Sequence, residues 1–309
     1  MSKVLCIGDI CADIVIPYGL AKNEGIADVQ FKGGGTVANC ADGLGKLNAN
    51  VSFLGTAGTD YYGKNLKKQL EDDNVDTKYL KLTDDYPTSQ VLCIIDENND
   101  RFNFLVPKEN AAQNQILDTD LNDCLLDEYD YIHTSGMILF ENPAASAISN
   151  FLEKAQKKGI KVSLDINLRI ETFKLNPQYL LKAIENTNFL FGSLEDEIMP
   201  LTGKTNAEEA IKSLVNENRV VVARQGEKGA TVYTNDASYH SDCFKVDVID
   251  TIGAGDNYDA GFIYGLLNGK DLNTCNKYGC ATAAINLTKK GARNCPTEKE
   301  LLDFIAKNQ

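Results

Sequence analysis

The sequence predicts an α/β protein in which a mostly parallel sheet lies between two layers of helices. Short apolar or β-branched runs at residues 4–7, 51–54, 131–133, 162–164, 189–191 and 220–222 alternate with longer amphipathic stretches. Near-continuous apolar runs fit parallel strands covered on both faces. The repeated strand-then-helix order argues for three layers. At about 150 residues per domain, 309 residues make one large domain or two small ones.

Helix signals stand between the strands. Asn142-Pro143 is read as an N-cap followed by a first-turn proline, with Gly159 as the stop. Thr205 with Glu208, and Thr297 with Glu300, have capping-box spacing. Asn268-Gly269 closes a helix that opens near Gly255. Two stretches break the rhythm. One is strand-like at Ile14-Val15-Ile16 and then Gly- and charge-rich to residue 33. The other carries strand-like runs at 90–95 and 102–106 around a polar turn, Asp96-Glu97-Asn98-Asn99-Asp100. Strands without intervening helices form either a small discontinuous β-lid or two plain edge hairpins. The lid reading assigns 13–33 and 86–109 to it and leaves 1–12, 34–85 and 110–309 as the core.

The charge balance is 31 Lys+Arg against 44 Asp+Glu, net −13. Such a surface repels polyphosphate backbones, so neither a nucleic-acid partner nor a membrane-surface role is expected. No uncharged run approaches the ~20 residues of a membrane helix. The N-terminus enters an apolar run without a charged leader, and nine scattered cysteines lack a C-x-x-C pair. With only His133 and His240 as imidazoles, zinc is poorly supported, and a reducing cytoplasm is the expected location.

Two Gly-rich segments carry the chemistry. In Asp250-Thr251-Ile252-Gly253-Ala254-Gly255-Asp256, the glycines permit a tight turn of converging backbone N–H groups at the positive end of a helix. That arrangement suits an anion, and Asp256 at its edge is placed to accept a proton. Taken alone, the segment fits a helix cap equally well. Gly33-Gly34-Gly35-Thr36-Val37-Ala38-Asn39 lets another molecule approach the backbone, and Asn39 offers a donor and an acceptor suited to hydroxyls. Its plain alternative is a flexible loop.

With both segments in view, the sequence resembles the PfkB, or ribokinase-like, carbohydrate kinases over essentially its whole length. Gly34-Gly35-Thr36-Val37-Ala38-Asn39 matches the N-terminal signature, and residues 250–256 with Ala260-Gly261-Phe262 match the C-terminal one. Gly8-Asp9-Ile10-Cys11-Ala12-Asp13, Asp165-Ile166-Asn167-Leu168-Arg169 and Arg224-Gln225-Gly226-Glu227-Lys228-Gly229 resemble lesser family segments. The resemblance implies a ribokinase-like core with a β-sheet lid and phosphorylation of a sugar hydroxymethyl group by ATP. Asp256 would be the base, with Gly253, Ala254 and Gly255 completing the anion hole. Asp13, Gly34, Gly35, Asn39 and Arg169 would bind substrate. Arg224, Gly226, Gly229 and Asn286 would face the nucleotide. Glu197 would act on Mg2+ through water, and Asp250, Ile252, Gly291 and Cys295 mark a monovalent-cation (K+) position. A homodimer through the lids is the implied assembly. The chain departs from the pattern at Leu194, where many members have the asparagine of N-x-x-E, leaving the polar role to Ser193 or a simpler metal shell. It departs again at Cys11, where ribokinases carry asparagine.

Gly203-Lys204-Thr205 is not a P-loop, because Ile198 stands where the first glycine belongs; Gly203 reads as a helix stop and Thr205 as the next N-cap. Residues 8–11 lack a dinucleotide fingerprint. His133 is expected to be packed, and Asp84-Asp85 to lie in a solvated loop. Arg169 would bring a positive fork to the mouth of the cleft, or else form a surface ion pair. The first alternative favours a ketohexose or sugar acid as acceptor over a nucleoside. A non-catalytic sugar- or nucleotide-binding protein is the remaining reading, against which the intact Asp256 argues.

Overall fold

The computed structural model describes residues 2–16, 31–95, 101–107, 109–167 and 177–308. Thirteen strands form two sheets. The large sheet holds β1 (Lys3–Ile7), β4 (Asn50–Gly58), β5 (Asp76–Thr83), β8 (Tyr131–Ser135), β9 (Lys161–Asp165), β10 (Phe189–Ser193), β11 (Val220–Arg224), β12 (Ala230–Tyr233) and β13 (Ser238–Ser241). Their order is β13-β12-β11-β10-β9-β8-β1-β4-β5. Pairing is parallel from β11 through β5, and β12 and β13 add an antiparallel edge.

Every apolar run expected to be a buried strand is one. Alternate side chains of these strands feed two separate cores. Val4, Cys6, Phe53, Phe191 and Val222 pack with α1 (Thr36–Lys46), α2 (Tyr61–Asp72) and three helices described below. Leu5, Ile7, Leu164, Leu190 and Val221 pack on the other face with α3 (Leu125–Glu128), α4 (Ala144–Lys157), α5 (Pro177–Glu185) and, past a short α6 (Met199–Thr202), α7 (Ala207–Leu214). The first face is completed by α8 (Ala254–Leu267), α9 (Leu272–Leu287) and α10 (Glu298–Lys307). A three-layer α/β/α fold results, in which two buried faces explain the unbroken apolar runs.

Local signals hold with two shifts. The Thr297–Glu300 capping box is present, and Gly159, Gly203 and Gly269 end their helices with positive φ. The box read at Thr205 and Glu208 is not formed: Asn206 is the N-cap, its side chain accepting from Glu209 N at 3.1 Å. Two adjacent good caps compete there, and Asn caps at least as well as Thr. Similarly, Pro143 is the cap of α4 rather than its first residue, while the Asn142 carboxamide accepts from Ser146 N at 3.2 Å.

The small sheet holds β2 (Cys11–Ile16), β3 (Phe31–Gly34), β6 (Ser89–Ile95) and β7 (Arg101–Val106) in the order β3-β2-β6-β7. Residues 96–100, read as the turn, lie outside the described residues, but β6 and β7 pair antiparallel up to Ile95 and Arg101, as a hairpin does. Pleat parity divides this sheet. Cys11, Asp13 and Val91 share the face turned to the cleft. Ile14, Leu92, Ile94, Phe102 and Phe104 share the opposite face.

Seven of the nine free cysteines are buried; Cys124 is exposed and Cys243 half-buried. Among the described residues no helix is long and apolar enough to cross a membrane.

Candidate active site

A cleft of about 390 Å³ lies at the carboxyl ends of the parallel strands, where open α/β sheets place their ligands. Asp9 follows β1, Asp165 ends β9, Glu197 follows β10 and Arg224 ends β11. The small sheet contributes Cys11, Asp13 and Val91 from the other side.

Asp9 joins the two halves. Its buried carboxylate accepts from Thr36 N at 2.7 Å and Val37 N at 3.3 Å, capping α1. Gly35 precedes that helix with φ 96°, and a Cβ there would lie 2.6 Å from Asp9 O. Only glycine fits this approach. Asn167 reaches Thr36 Oγ1, fastening the end of β9 to the same turn.

The Asp250-to-Asp256 segment forms the turn its glycines suggested. Gly253 adopts φ 74° at the N-cap of α8, and Gly253, Ala254, Gly255 and Asp256 all line the cleft. The first amides of a helix have no carbonyl partner within it, so this terminus is ready for an anion. Asp256 faces the cleft from the first turn, and its Oδ2 accepts from Asn39 Nδ2 at 2.7 Å. Desolvation, with repulsion from Asp165 and Asp9, pushes its carboxyl up to about 8 against the pull of the Asn39 hydrogen bond and of Arg224.

Arg224 centres a buried ion cluster. Its guanidinium meets Asp165 at 2.5 Å, Asp259 at 3.0 Å and Glu197 at 3.3 Å. Three carboxylates on one cation leave an excess of negative charge, and burial with repulsion from Asp165 pushes Glu197 up to about 7. Asp259 Oδ2 is buried without a hydrogen-bond partner. This donor chemistry fits a divalent cation near Glu197. Among the described residues no three His, Cys, Asp or Glu side chains converge as a metal cage. Mg2+ here would therefore rest on phosphate oxygens and water, its usual manner, with Glu197 beyond the water. Leu194 is buried and Ser193 N donates to Glu197 Oε2 at 2.6 Å, so Ser193's backbone amide helps fix that carboxylate.

On the small sheet, Asp13 lies over Gly34, where a Cβ would stand 2.5 Å from the carboxylate. Burial pushes Asp13 up to about 6, while the Cys11 thiol and Arg293 pull it down. Arg293 comes from the loop after α9. It donates to Asn39 Oδ1 at 3.1 Å, Gly34 O at 3.0 Å and Gln69 Oε1 at 3.4 Å.

The remaining site residues fall in three places. Gly226 and Gly229 bound the exposed turn after β11, away from the cleft lining. Asn286 is fully buried behind the anion turn, donating to Ile252 O at 2.8 Å and accepting from Asn294 N at 3.3 Å. Asp250 accepts from Gly291 N at 3.0 Å, and Cys295 is buried against Gly43. The backbone oxygens here are already engaged: Ile252 O accepts from Asn286, Gly291 O from Asn294 Nδ2 at 2.6 Å, and Lys290 O from the Lys32 ammonium at 2.7 Å. Arg169 lies outside the described residues. Asp259 and Arg293 escaped the sequence reading: Asp259 sits one helical turn past Asp256 and was legible by spacing, whereas no local pattern points to Arg293.

Comparison with known proteins decides the family, for the description "pfkB family carbohydrate kinase" matches residues 1–300. The chain belongs to the pfkB family of carbohydrate kinases. Family membership makes it a phosphotransferase. A 5-dehydro-2-deoxygluconokinase of Bacillus licheniformis is 24% identical over 98% of this chain and 95% of its own. A Vibrio cholerae fructokinase variant, solved with fructose, ADP and potassium ion, superposes with TM-score 0.84 at 25% identity, covering 98% of each chain. An E. coli ribokinase II candidate in complex with ATP and Mg2+ superposes with TM-score 0.87 at 23% identity, over 99% of this chain and 100% of that one. The ribokinase-like fold and kinase class expected from the two Gly-rich segments are those of the family.

Proposed function

We propose that this kinase transfers the γ-phosphoryl group of ATP to a hydroxymethyl group of a sugar acid or ketohexose. The carrying observation is Asp256 standing in the first turn of α8, within one cleft of both the helix-terminal amides and Asp13. The acceptor lies between the small sheet and the turn, its hydroxyls on Asp13, Asn39 and the Gly34-Gly35 backbone. Asp256 takes the hydroxyl proton as the oxygen attacks phosphorus in line. The amides of Gly253, Ala254, Gly255 and Asp256 face the oxygens that gather charge. Mg2+ bound with the nucleotide would supply further charge neutralisation, and Glu197 would hold its water shell. The nucleotide extends toward Gly226 and Gly229. A monovalent cation behind the anion turn, among the 286–295 backbone oxygens, would brace the turn.

The 5-dehydro-2-deoxygluconokinase relative supports a sugar acid, and the fructokinase neighbour a ketohexose. We propose further that residues 13–33 and 86–109 act as a lid over the acceptor. Its outer face exposes Ile94, Phe102 and Phe104 at 39%, 50% and 52%. That apolar face on a sheet edge supports a lid-to-lid homodimer.

ADP release from Mg-ATP across keto-deoxy sugar acids, hexoses and nucleosides tests the reading. The expected outcome is turnover with a sugar acid or ketohexose, abolished by EDTA and restored by Mg2+. Nucleosides turning over far faster than any sugar would defeat the acceptor assignment. No ADP release with any acceptor would return the chain to a binding role.

A further inference from the structure

We infer that Arg293 is a positioning residue for the reaction, acting through Asn39 to hold Asp256 in its working orientation. The inference rests on the reading of Asp256 as the base. Asn39 lies between two side chains that make opposite demands. Arg293 Nε approaches Asn39 Oδ1 at 3.1 Å, and Asp256 Oδ2 approaches Asn39 Nδ2 at 2.7 Å. A guanidinium has only donors, so the carboxamide atom facing it must be the oxygen. The nitrogen is thereby turned to Asp256, where it donates to a carboxylate oxygen. Remove Arg293 and the amide is free to turn over, placing its oxygen against Asp256, which then repels the ionised form and accepts from the protonated one.

Arg293 is held firmly enough to impose this choice. Lys46 Nζ grips its backbone oxygen at 2.8 Å while pairing with Asp42 at 2.8 Å. Asn257 Nδ2 grips the preceding carbonyl, Ala292 O, at 2.7 Å. The guanidinium itself is fastened to Gly34 O at 3.0 Å. The charged or titratable groups facing Asp256 are Asp9 after β1, Asp165 from β9, Arg224 from β11, Cys40 on α1 and Asp259 on α8. Arg224 is the cation among them, and it is already shared by three carboxylates. The Asn39 amide is thus the neutral donor that opposes the effect of burial on Asp256.

The test is a cycle of Arg293→Met, Asn39→Ala and the double variant, each with a pH profile of kcat/KM. Arg293→Met should lower kcat about 10–100-fold by misplacing the base, with the KM for ATP little changed. The acid limb of the profile should move up by on the order of one pH unit, because a hydrogen bond to the charged form is lost. The double variant should be no slower than Asn39→Ala alone. Arg293→Gln, which keeps an N–H to donate without a charge, should restore the acid limb, and it carries the test if Arg293→Met does not fold. An unmoved limb, additive losses, or restoration by Arg293→Lys but not Arg293→Gln would overturn the inference. Asp256→Asn separates the two levels. If it keeps most of its kcat, the base reading fails and the positioning role with it. If it is inactive and the limb still does not move, only the role of Arg293 fails.

Discussion

The two sheets of this kinase solve opposite problems. The large sheet is covered on both faces, so Leu5, Ile7, Val4 and Cys6 all vanish into one core or the other, and its charged groups at the cleft stand at strand ends. Those ends hold Asp9, Asp165 and Arg224, each fixed by buried partners. The small sheet is covered only at β2 and β3, where Ala12 and Ile14 are buried and Phe31 packs on Tyr61 and Tyr62 of α2. One side presents Asp13 and Cys11 to the cleft, and the other leaves Phe102 and Phe104 exposed. The difference teaches where tolerance lies. Charge at the large sheet's edge is held by a closed network, and altering one member exposes the rest. On the small sheet tolerance is confined to the exposed β7 side, at Phe102 and Phe104.

The sharpest way to break this contrast is at Asp256, which the large sheet's helices position. Asp256→Asn keeps the shape, and Asn39 can still donate to its carbonyl. Removing the base should lower kcat about 10²–10⁴-fold with little loss of nucleotide binding. Retention of more than about a tenth of kcat, below the smallest effect expected of a general base, would end that assignment.

Next comes Arg224→Met. The expected cost is about 3–5 kcal/mol of stability in denaturant melts, since Asp165, Glu197 and Asp259 lose their shared cation. A variant that is as stable as the parent and only binds ATP more weakly would move Arg224 from the closed network to the nucleotide.

A pH series sharpens the same region. Because Asp256 is pushed up to about 8, kcat/KM for the acceptor should rise with pH and bend near 8. The sign for stability is the reverse. The folded protein keeps this proton to higher pH than the unfolded chain, whose aspartates release it near 3.9, so the contribution is full below about 4 and is lost as pH rises through 8. Asp256→Asn should therefore melt above the parent at pH 9, by about 2–4 °C for each kcal/mol released, and match it near pH 4. Equal melting temperatures at both pH values would mean the carboxyl is not perturbed.

The smallest effect on turnover belongs to the outer face of the small sheet. Phe104→Glu should shift the protein from dimer to monomer by light scattering at micromolar concentration while changing kcat little. A parent that is already monomeric, or a variant that stays dimeric, would remove the lid face as the interface.

Much of this contrast was legible in the sequence, for reasons the two sheets make plain. A strand buried on both faces must be apolar throughout, so its run of residues is local information. The anion turn is legible because its backbone needs glycine at fixed positions, as Gly253 with φ 74° shows. The competition between Thr205 and Asn206 was not legible, because either residue caps well and the chain beyond decides. Arg293 was not legible either. Its partners Gly34, Asn39 and Gln69 lie more than 220 positions earlier, and only the packed fold brings them together. Arg224 was read for its neighbours Gly226 and Gly229, and its ion pairs with Asp165 and Asp259 were not legible, because those partners lie far away in the sequence.

The parity of the small sheet also constrains how this enzyme can be altered or can evolve. Asp13 and Val91 share one face and Ile14 and Leu92 the other because side chains alternate along each strand. One residue inserted into β2 ahead of Asp13 would turn its carboxylate to the opposite face and put Ile14 on the face it left. Length changes in this part of the chain are therefore tolerable only in steps of two, or in the connections between strands. Exchanges in place at Cys11, Asp13 and Val91 alter the cleft lining without disturbing the exposed Phe102 and Phe104 on the opposite face.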